Sequence, residues 1–202
     1  MWYEFLLEDM KEDSSISDED FMELCESGDT FEVAEAICNG TNVDTENIFG
    51  ETALIIATMK GYSDIMEFLL ENEANVNAKD NDGRTALMWA SNAKFAETLI
   101  RYGADVNAKD NYGCTALMSP GNEEEFAEIL IKHGANVNAK DDYGRTALMY
   151  AALNGRAEFT EILIKYGAEV DTKDNDGYTA LMYAEDKKRR EVTRLLRSYG
   201  AE

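Results

Sequence analysis

Apolar and polar positions repeat along this chain in a fixed order. A short apolar block opened by threonine recurs at Thr52-Ala53-Leu54-Ile55, Thr85-Ala86-Leu87-Met88, Thr115-Ala116-Leu117-Met118, Thr146-Ala147-Leu148-Met149 and Thr179-Ala180-Leu181-Met182, at spacings of 33, 30, 31 and 33 residues. A second apolar block follows each one: Phe68-Leu69-Leu70, Thr98-Leu99-Ile100, Ile129-Leu130-Ile131, Ile162-Leu163-Ile164 and Leu195-Leu196. A polar stretch closes the cycle, Ala74-Asn75-Val76-Asn77-Ala78-Lys79-Asp80, with near copies starting at Ala104, Ala135 and Ala168. Five copies of one three-part unit are the mark of a repeat architecture.

The physics of one unit is readable. Threonine accepts a backbone N–H from the first turn of a helix, so each Thr-Ala-Leu block opens a short helix. In Phe159-Thr160-Glu161-Ile162-Leu163-Ile164-Lys165 the apolar residues Phe159, Ile162 and Leu163 stand at helical spacing, which predicts a second helix. Gly103, Gly134, Gly167 and Gly200 follow four of these second helices, where a helix end favours a residue that tolerates positive φ. Lys or Arg in the last turn complements the helix dipole. Asp80-Asn81-Asp82-Gly83, Asp110-Asn111-Tyr112-Gly113, Asp141-Asp142-Tyr143-Gly144 and Asp174-Asn175-Asp176-Gly177 are turn sequences. The unit is helix, turn, helix, then a hairpin-like finger. Two short helices cannot bury their apolar faces alone, so neighbouring units must stack.

This pattern resembles the ankyrin repeat, closely over residues 46–202 and loosely over 17–45. The resemblance implies an all-α solenoid of five repeats plus a degenerate N-terminal cap. It also implies a concave protein-binding surface made of fingers and first helices, with no catalytic residues. The chain departs from the family where Ala stands for the usual Pro after Thr, and Met or Ile for the usual His after Leu. Apolar packing by Met88, Met118, Met149 and Met182 is expected to replace the hydrogen bonding of that His.

The segments read from the pattern are an acidic N-terminal segment (1–16), a capping repeat (17–45), repeats at 46–79, 80–109, 110–140 and 141–173, and a C-terminal capping repeat (174–202). In the N-terminal cap, Phe21, Leu24 and Cys25 give one apolar face, and Phe31, Val33, Ala34 and Ile37 a second helix. Trp2, Phe5, Leu6 and Met10 would share one side of a helix, which reads as packed on the cap, as a frayed tail, or as a docking segment. The second and third repeats are short. Ser91-Asn92-Ala93-Lys94 joins the helices of the second with three residues fewer than the fourth has. Pro120 removes a backbone donor and disfavours helix at Ser119, so the first helix of the third repeat is expected to be cut short. The trimmed turns read either as a local recess that selects a partner or as neutral drift in surface turns.

Charge narrows the partner. The net charge is −22, with thirteen Asp/Glu and one Lys in residues 1–35, and a basic cluster at Lys187–Arg190 with Arg194 and Arg197. Such a chain repels nucleic acid and anionic lipid and suits a protein with a basic patch. A monomer is expected, with end-to-end self-association through the acidic start and basic end as a further reading. No apolar stretch reaches the roughly 20 residues of a membrane span. Three cysteines, Cys25, Cys38 and Cys114, read as free thiols of a reducing compartment, hence the cytoplasm. The lone His133 has no metal-spaced partner, and no nucleophile set is recognisable, so neither catalysis, a metal nor a cofactor is expected.

Aromatic and Arg residues dominate protein interfaces. The candidate contact residues are Asp82, Arg84, Trp89, Tyr112, Cys114, Tyr143, Arg145, Tyr150, Leu153 and Tyr178, on fingers and first helices. A solvated turn also accepts the finger residues. Trp89, Tyr150 and Tyr183 also read as core, since Ile56 fills the equivalent place. The functional expectation is a non-catalytic adaptor or scaffold. The alternative is an acidic decoy that occupies a basic or nucleic-acid-binding surface of a partner.

Overall fold

The structure, a computed structural model, describes residues 16–119 and 124–202. The readings of the segment before residue 16, and Pro120 itself, lie outside the described residues. Eleven α-helices and one 3-10 turn are found there, with no strand and a single antiparallel bridge, Glu46 to Thr52. The fold is the expected all-α repeat solenoid, and its residues group into two compact units, one ending at Trp89 and the other beginning at Ala90.

The first unit holds α1 (Asp18–Ser27), α2 (Thr30–Cys38), α3 (Ala53–Lys60), α4 (Ser63–Glu71) and α5 (Ala86–Trp89). Helices α1, α3 and α5 form one row, and α2 and α4 the other. Phe21, Leu54, Ile65, Leu69 and Leu87 are buried between the rows. The second unit holds α6 (Ala93–Arg101), the 3-10 turn (Ala116–Met118), α7 (Glu124–Lys132), α8 (Ala147–Asn154), α9 (Ala157–Lys165), α10 (Ala180–Asp186) and α11 (Arg190–Ser198). Here α6, α7, α9 and α11 make one row, and the 3-10 turn, α8 and α10 the other. Leu99, Leu117, Phe126, Leu130, Leu163 and Leu196 fill the space between.

Local chemistry explains the helix starts. The hydroxyls of Thr52, Thr146 and Thr179 accept the amides of Ile55, Met149 and Met182. Thr115 makes no such bond, because only a 3-10 turn follows it. That turn stops at Ser119, which is extended (φ −69, ψ 130), the conformation that a following proline favours. Helix α5 is also cut to four residues, although its sequence holds no proline. The Asn92 side chain accepts the Phe95 amide and starts α6 early, leaving no room for α5 to continue. After the second helices, Gly103 and Gly134 take φ of +92 and +91, while Glu73 holds φ +66 in the same slot.

Burial departs from the sequence expectation at several places. Met118 and Met149 pack in the core, but Met88 is half-buried and Met182 is 43% exposed. Helix α10 packs mainly against α8 and α11, and neither covers Met182. In α1, Met22 is buried and Leu24 only partly, and in α2 Phe31 is exposed. In α9, Thr160 rather than Ile162 is buried, its hydroxyl satisfied by the Arg156 carbonyl at 2.7 Å.

Candidate functional site

Each finger is closed by its first residue. The Asp141 amide donates to the Arg145 carbonyl (3.0 Å), and Gly144 N donates back to the Asp141 carbonyl (2.9 Å). Asp141 is only 5% exposed, yet four donors satisfy its carboxylate. Its Oδ1 accepts the amides of Tyr143 (2.9 Å) and Arg145 (2.8 Å), and its Oδ2 accepts Arg145 Nε (2.9 Å) and Tyr150 Oη (2.8 Å). A buried carboxylate is costly unless paired and hydrogen-bonded, and this one is both.

The anchor fixes the groups around it. The Arg145 guanidinium lies 4.6 Å from the Tyr143 ring and 4.9 Å from the Tyr150 ring, between two aromatic faces. Cys114 Sγ sits 3.8 Å from Tyr150 Oη. Tyr112 stands on the neighbouring finger, and its carbonyl accepts the Asp142 amide at 2.9 Å. The next finger repeats the design: Asp174 Oδ1 accepts the amides of Asp176 and Tyr178, and Oδ2 accepts Tyr183 Oη at 2.6 Å. The Tyr178 and Tyr183 ring centroids are 5.6 Å apart. In the first unit, Asp80 Oδ1 accepts the amides of Asp82 and Arg84, and Trp89 Nε1 donates to Oδ2 at 3.4 Å. Arg84 lies 5.2 Å over the Trp89 ring and pairs with Asp82 at 3.5 Å.

The candidate residues therefore fall into local groups. Asp82, Arg84 and Trp89 form one; Cys114, Tyr143, Arg145 and Tyr150, with Tyr112 alongside, form another; Tyr178 pairs with Tyr183. Leu153 joins none of these hydrogen-bonded sets. It is half-buried at the end of α8, and its carbonyl accepts Arg189 Nε at 3.2 Å. Trp89, Tyr150 and Tyr183 are neither free surface nor plain core: each is half-buried and tied to the finger that precedes it. The anchors Asp80, Asp141 and Asp174 are absent from the candidates drawn from sequence. Their signal was a spacing of nine residues from the finger aspartate to an aromatic N–H or O–H donor. The first repeat lacks the pair, with Asn47 in the aspartate place and apolar Ile56 nine residues on.

Electrostatics follow from burial. Burial raises the Tyr150 phenol far above its ordinary value, and its bond to Asp141 adds to this. Burial, then the bond to Asp174, pushes Tyr183 up to about 12. Burial raises the Cys114 thiol, with the Tyr150 contact opposing and the Asp110 and Asp141 charges adding. That thiol is protonated near neutrality and is not an activated nucleophile. Among the described residues, no three His, Cys, Asp or Glu side chains converge at metal-binding range. The arrangement holds the exposed Tyr143 ring, backed by the Arg145 guanidinium, toward solvent.

Comparison with known proteins agrees with the repeat fold. The family described as ankyrin repeats (3 copies) matches residues 21–110 and 114–202. A putative ankyrin repeat protein of Acanthamoeba polyphaga mimivirus is 42% identical over 65 residues, which is 30% of this chain and 16% of that protein. A putative ankyrin repeat protein of Rickettsia felis is 43% identical over 61 residues, 30% of this chain and 20% of that protein. The chain thus spans a fifth or less of these curated relatives. Among solved structures, a chain from a complex described as a predatory endopeptidase from Bdellovibrio bacteriovorus with an immunity protein superposes with a TM-score of 0.79 at 30% identity, covering 88% of this chain and 96% of that one. A crystal structure of an ankyrin repeat protein superposes with a TM-score of 0.77 at 25% identity, covering 92% of this chain and all of that one.

Proposed function

The chain belongs to the ankyrin repeat family, whose repeats are generally protein–protein interaction modules, and from that premise we propose that it is a non-catalytic adaptor binding one protein partner through its fingers and first helices. The observation that carries this reading is the group around Asp141. Tyr143 is 56% exposed, yet its backbone is pinned by the buried carboxylate and its ring is backed by Arg145. Aromatic and arginine groups held in one conformation lose little entropy on binding, which is what interface hot spots require. Tyr112 and Tyr178 extend the same exposed surface on the flanking fingers.

The net charge of −22 favours a partner with a basic patch and a fast, salt-sensitive association. Cys25, Cys38 and Cys114 are all free, which fits a reducing cytoplasmic setting. A structural relative from a complex of an endopeptidase with an immunity protein is consistent with a binding role.

The test is affinity capture from cell extract with the intact protein and with a Tyr112→Ser, Tyr143→Ser variant. Both side chains are exposed, so the variant should keep its far-ultraviolet circular dichroism. A partner held by the intact protein and released by the variant supports the finger surface. A partner held equally by both would move binding elsewhere on the molecule.

A further inference from the structure

The first finger departs from the others at its tip, where Ile48 stands in a place that Asn or Asp holds in the other four. At the tip, Asn81 and Asn175 each use a side-chain amide to reach the preceding finger, bonding to the carbonyls of Ile48 (3.1 Å) and Asp142 (3.0 Å). The residue that follows is Asp82 or Asp176 in those fingers, and Tyr112 or Tyr143, each with a polar hydroxyl, in the remaining two. Ile48 and Phe49 stand in these two places in the first finger. No described finger precedes it, so position 48 is released from the amide bond. Release permits any polar residue, however, and does not call for an isoleucine that is 86% exposed beside a phenylalanine that is 61% exposed. Exposed apolar side chains gain nothing from folding.

These two side chains border a groove of about 540 Å³ against α1, floored by Met22 and rimmed by Asp18, Glu19, Glu23, Glu26 and Glu46. None of the five carboxylates forms an ion pair among the described residues. Asp18 and Glu19 suit the positive end of the α1 dipole. Glu26 does not: it lies in the last turn, where the dipole favours a cation, and that turn holds no basic residue. Its charge costs the helix stability. The exposed Ile48 and the Glu26 carboxylate, which local folding does not explain, meet on one groove, and this indicates a binding role.

We propose that the groove between α1 and the first finger seats a cationic amphipathic segment of a partner protein, with apolar side chains on Ile48 and Phe49 and Lys or Arg side chains on the carboxylate rim. This rests on the reading of the chain as a protein-binding module and adds a second contact point to it. Charge selects this occupant. The chain's own residues 1–15 carry five carboxylates and one lysine, so an acidic rim repels them.

The probe is a fluorescein-labelled peptide of leucine and lysine in amphipathic helical order, with a leucine–glutamate peptide as control, read by fluorescence anisotropy on the full chain. The expected result is binding of the lysine peptide alone, weakening as salt rises. Ile48→Asn with Phe49→Asp installs the chain's own second-finger sequence, so folding is preserved, and it should weaken binding about tenfold or more. Glu23→Lys with Glu26→Lys should do the same while leaving helicity unchanged. Unchanged affinity in either variant overturns the proposal, as does equal binding of the glutamate peptide. Tighter peptide binding by a full chain carrying Trp2→Ser and Phe5→Ser would make the N-terminal segment the occupant instead. A salt-sensitive dimer in sedimentation, lost with the Ile48→Asn, Phe49→Asp variant, would assign the groove to a second copy. The Tyr112→Ser, Tyr143→Ser variant should bind the peptide normally. Failure of the groove would therefore leave the finger reading standing, and the reverse also holds.

Discussion

A single aspartate organises each of the later fingers, buried at Asp141 and Asp174 and half-buried at Asp80, and its loss should be felt at that scale. Asp141→Ala leaves two amides, the Arg145 guanidinium and the Tyr150 hydroxyl without their acceptor. Hydrogen bonds to charged groups are worth about 1.5–3 kcal/mol each and are not additive, so a loss of about 2–4 kcal/mol is expected in urea denaturation. The phenols give a pH signature. Folding raises Tyr150 and brings Tyr183 to about 12, against about 10 in an unfolded chain. Their protonated forms therefore stabilise the fold fully below pH ~10, and this contribution is lost as pH rises through the folded values. The denaturation midpoint should fall across that window, and Tyr150→Phe with Tyr183→Phe should flatten the fall. Asp174 has the opposite sign. Burial works upward on it, but the bonds from Tyr183 and the amides of Tyr178, Asp176 and Gly177 win and hold it low. Its contribution is present above pH ~4 and is lost as pH falls through the folded value.

At the scale of the element, helix ends decide what is strained and what is short. Glu73 at φ +66 occupies the slot of Gly103 and Gly134, and Lys188 at φ +56 that of Gly155. Left-handed backbone costs a side-chain-bearing residue about 1–2 kcal/mol, partly offset by the extra freedom of glycine in the unfolded chain. Glu73→Gly and Lys188→Gly should each raise stability by about 0.5–1 kcal/mol in the same denaturation assay. Helix α5 ends at Trp89 because Asn92 caps the next helix. Replacing Ser91-Asn92 by the fourth repeat's Ala-Leu-Asn-Gly-Arg should lengthen α5 by about one turn in circular dichroism. If the trimmed turn shapes a recess for the partner, the same change weakens capture; unchanged capture would assign the trimming to drift.

At the scale of the whole molecule, charge dominates. A net charge of −22 makes the folded chain repel itself, and repulsion between exposed charges is screened within about 10 Å at 0.1 M salt. The melting temperature should therefore rise with added sodium chloride, while partner association slows. A fall in melting temperature with salt would mean that surface ion pairs such as Arg197–Glu185 and Lys165–Glu161 outweigh the repulsion.

Sequence by itself determined the repeat, the threonine helix starts, the positive-φ glycines and the shortened first helix of the third repeat. Each of these depends on a residue and its near neighbours: a hydroxyl reaching three residues on, a backbone only glycine adopts cheaply, a proline acting on the residue before it. Only the tertiary structure decided which of equivalent residues face inward. Met149 and Met182 share a repeat position, yet one is buried and the other exposed, because burial depends on which helices pack alongside. The same holds for Asp141. As sequence it is the start of a polar turn; in the fold it is a buried anchor, because its acceptor capacity is filled by Tyr150, brought back over it by the helix that follows. Ile48 follows the same logic: a lone apolar residue in a turn acquires meaning only when the neighbouring fingers hold Asn or Asp in its place, and when α1 lines the other side of its groove.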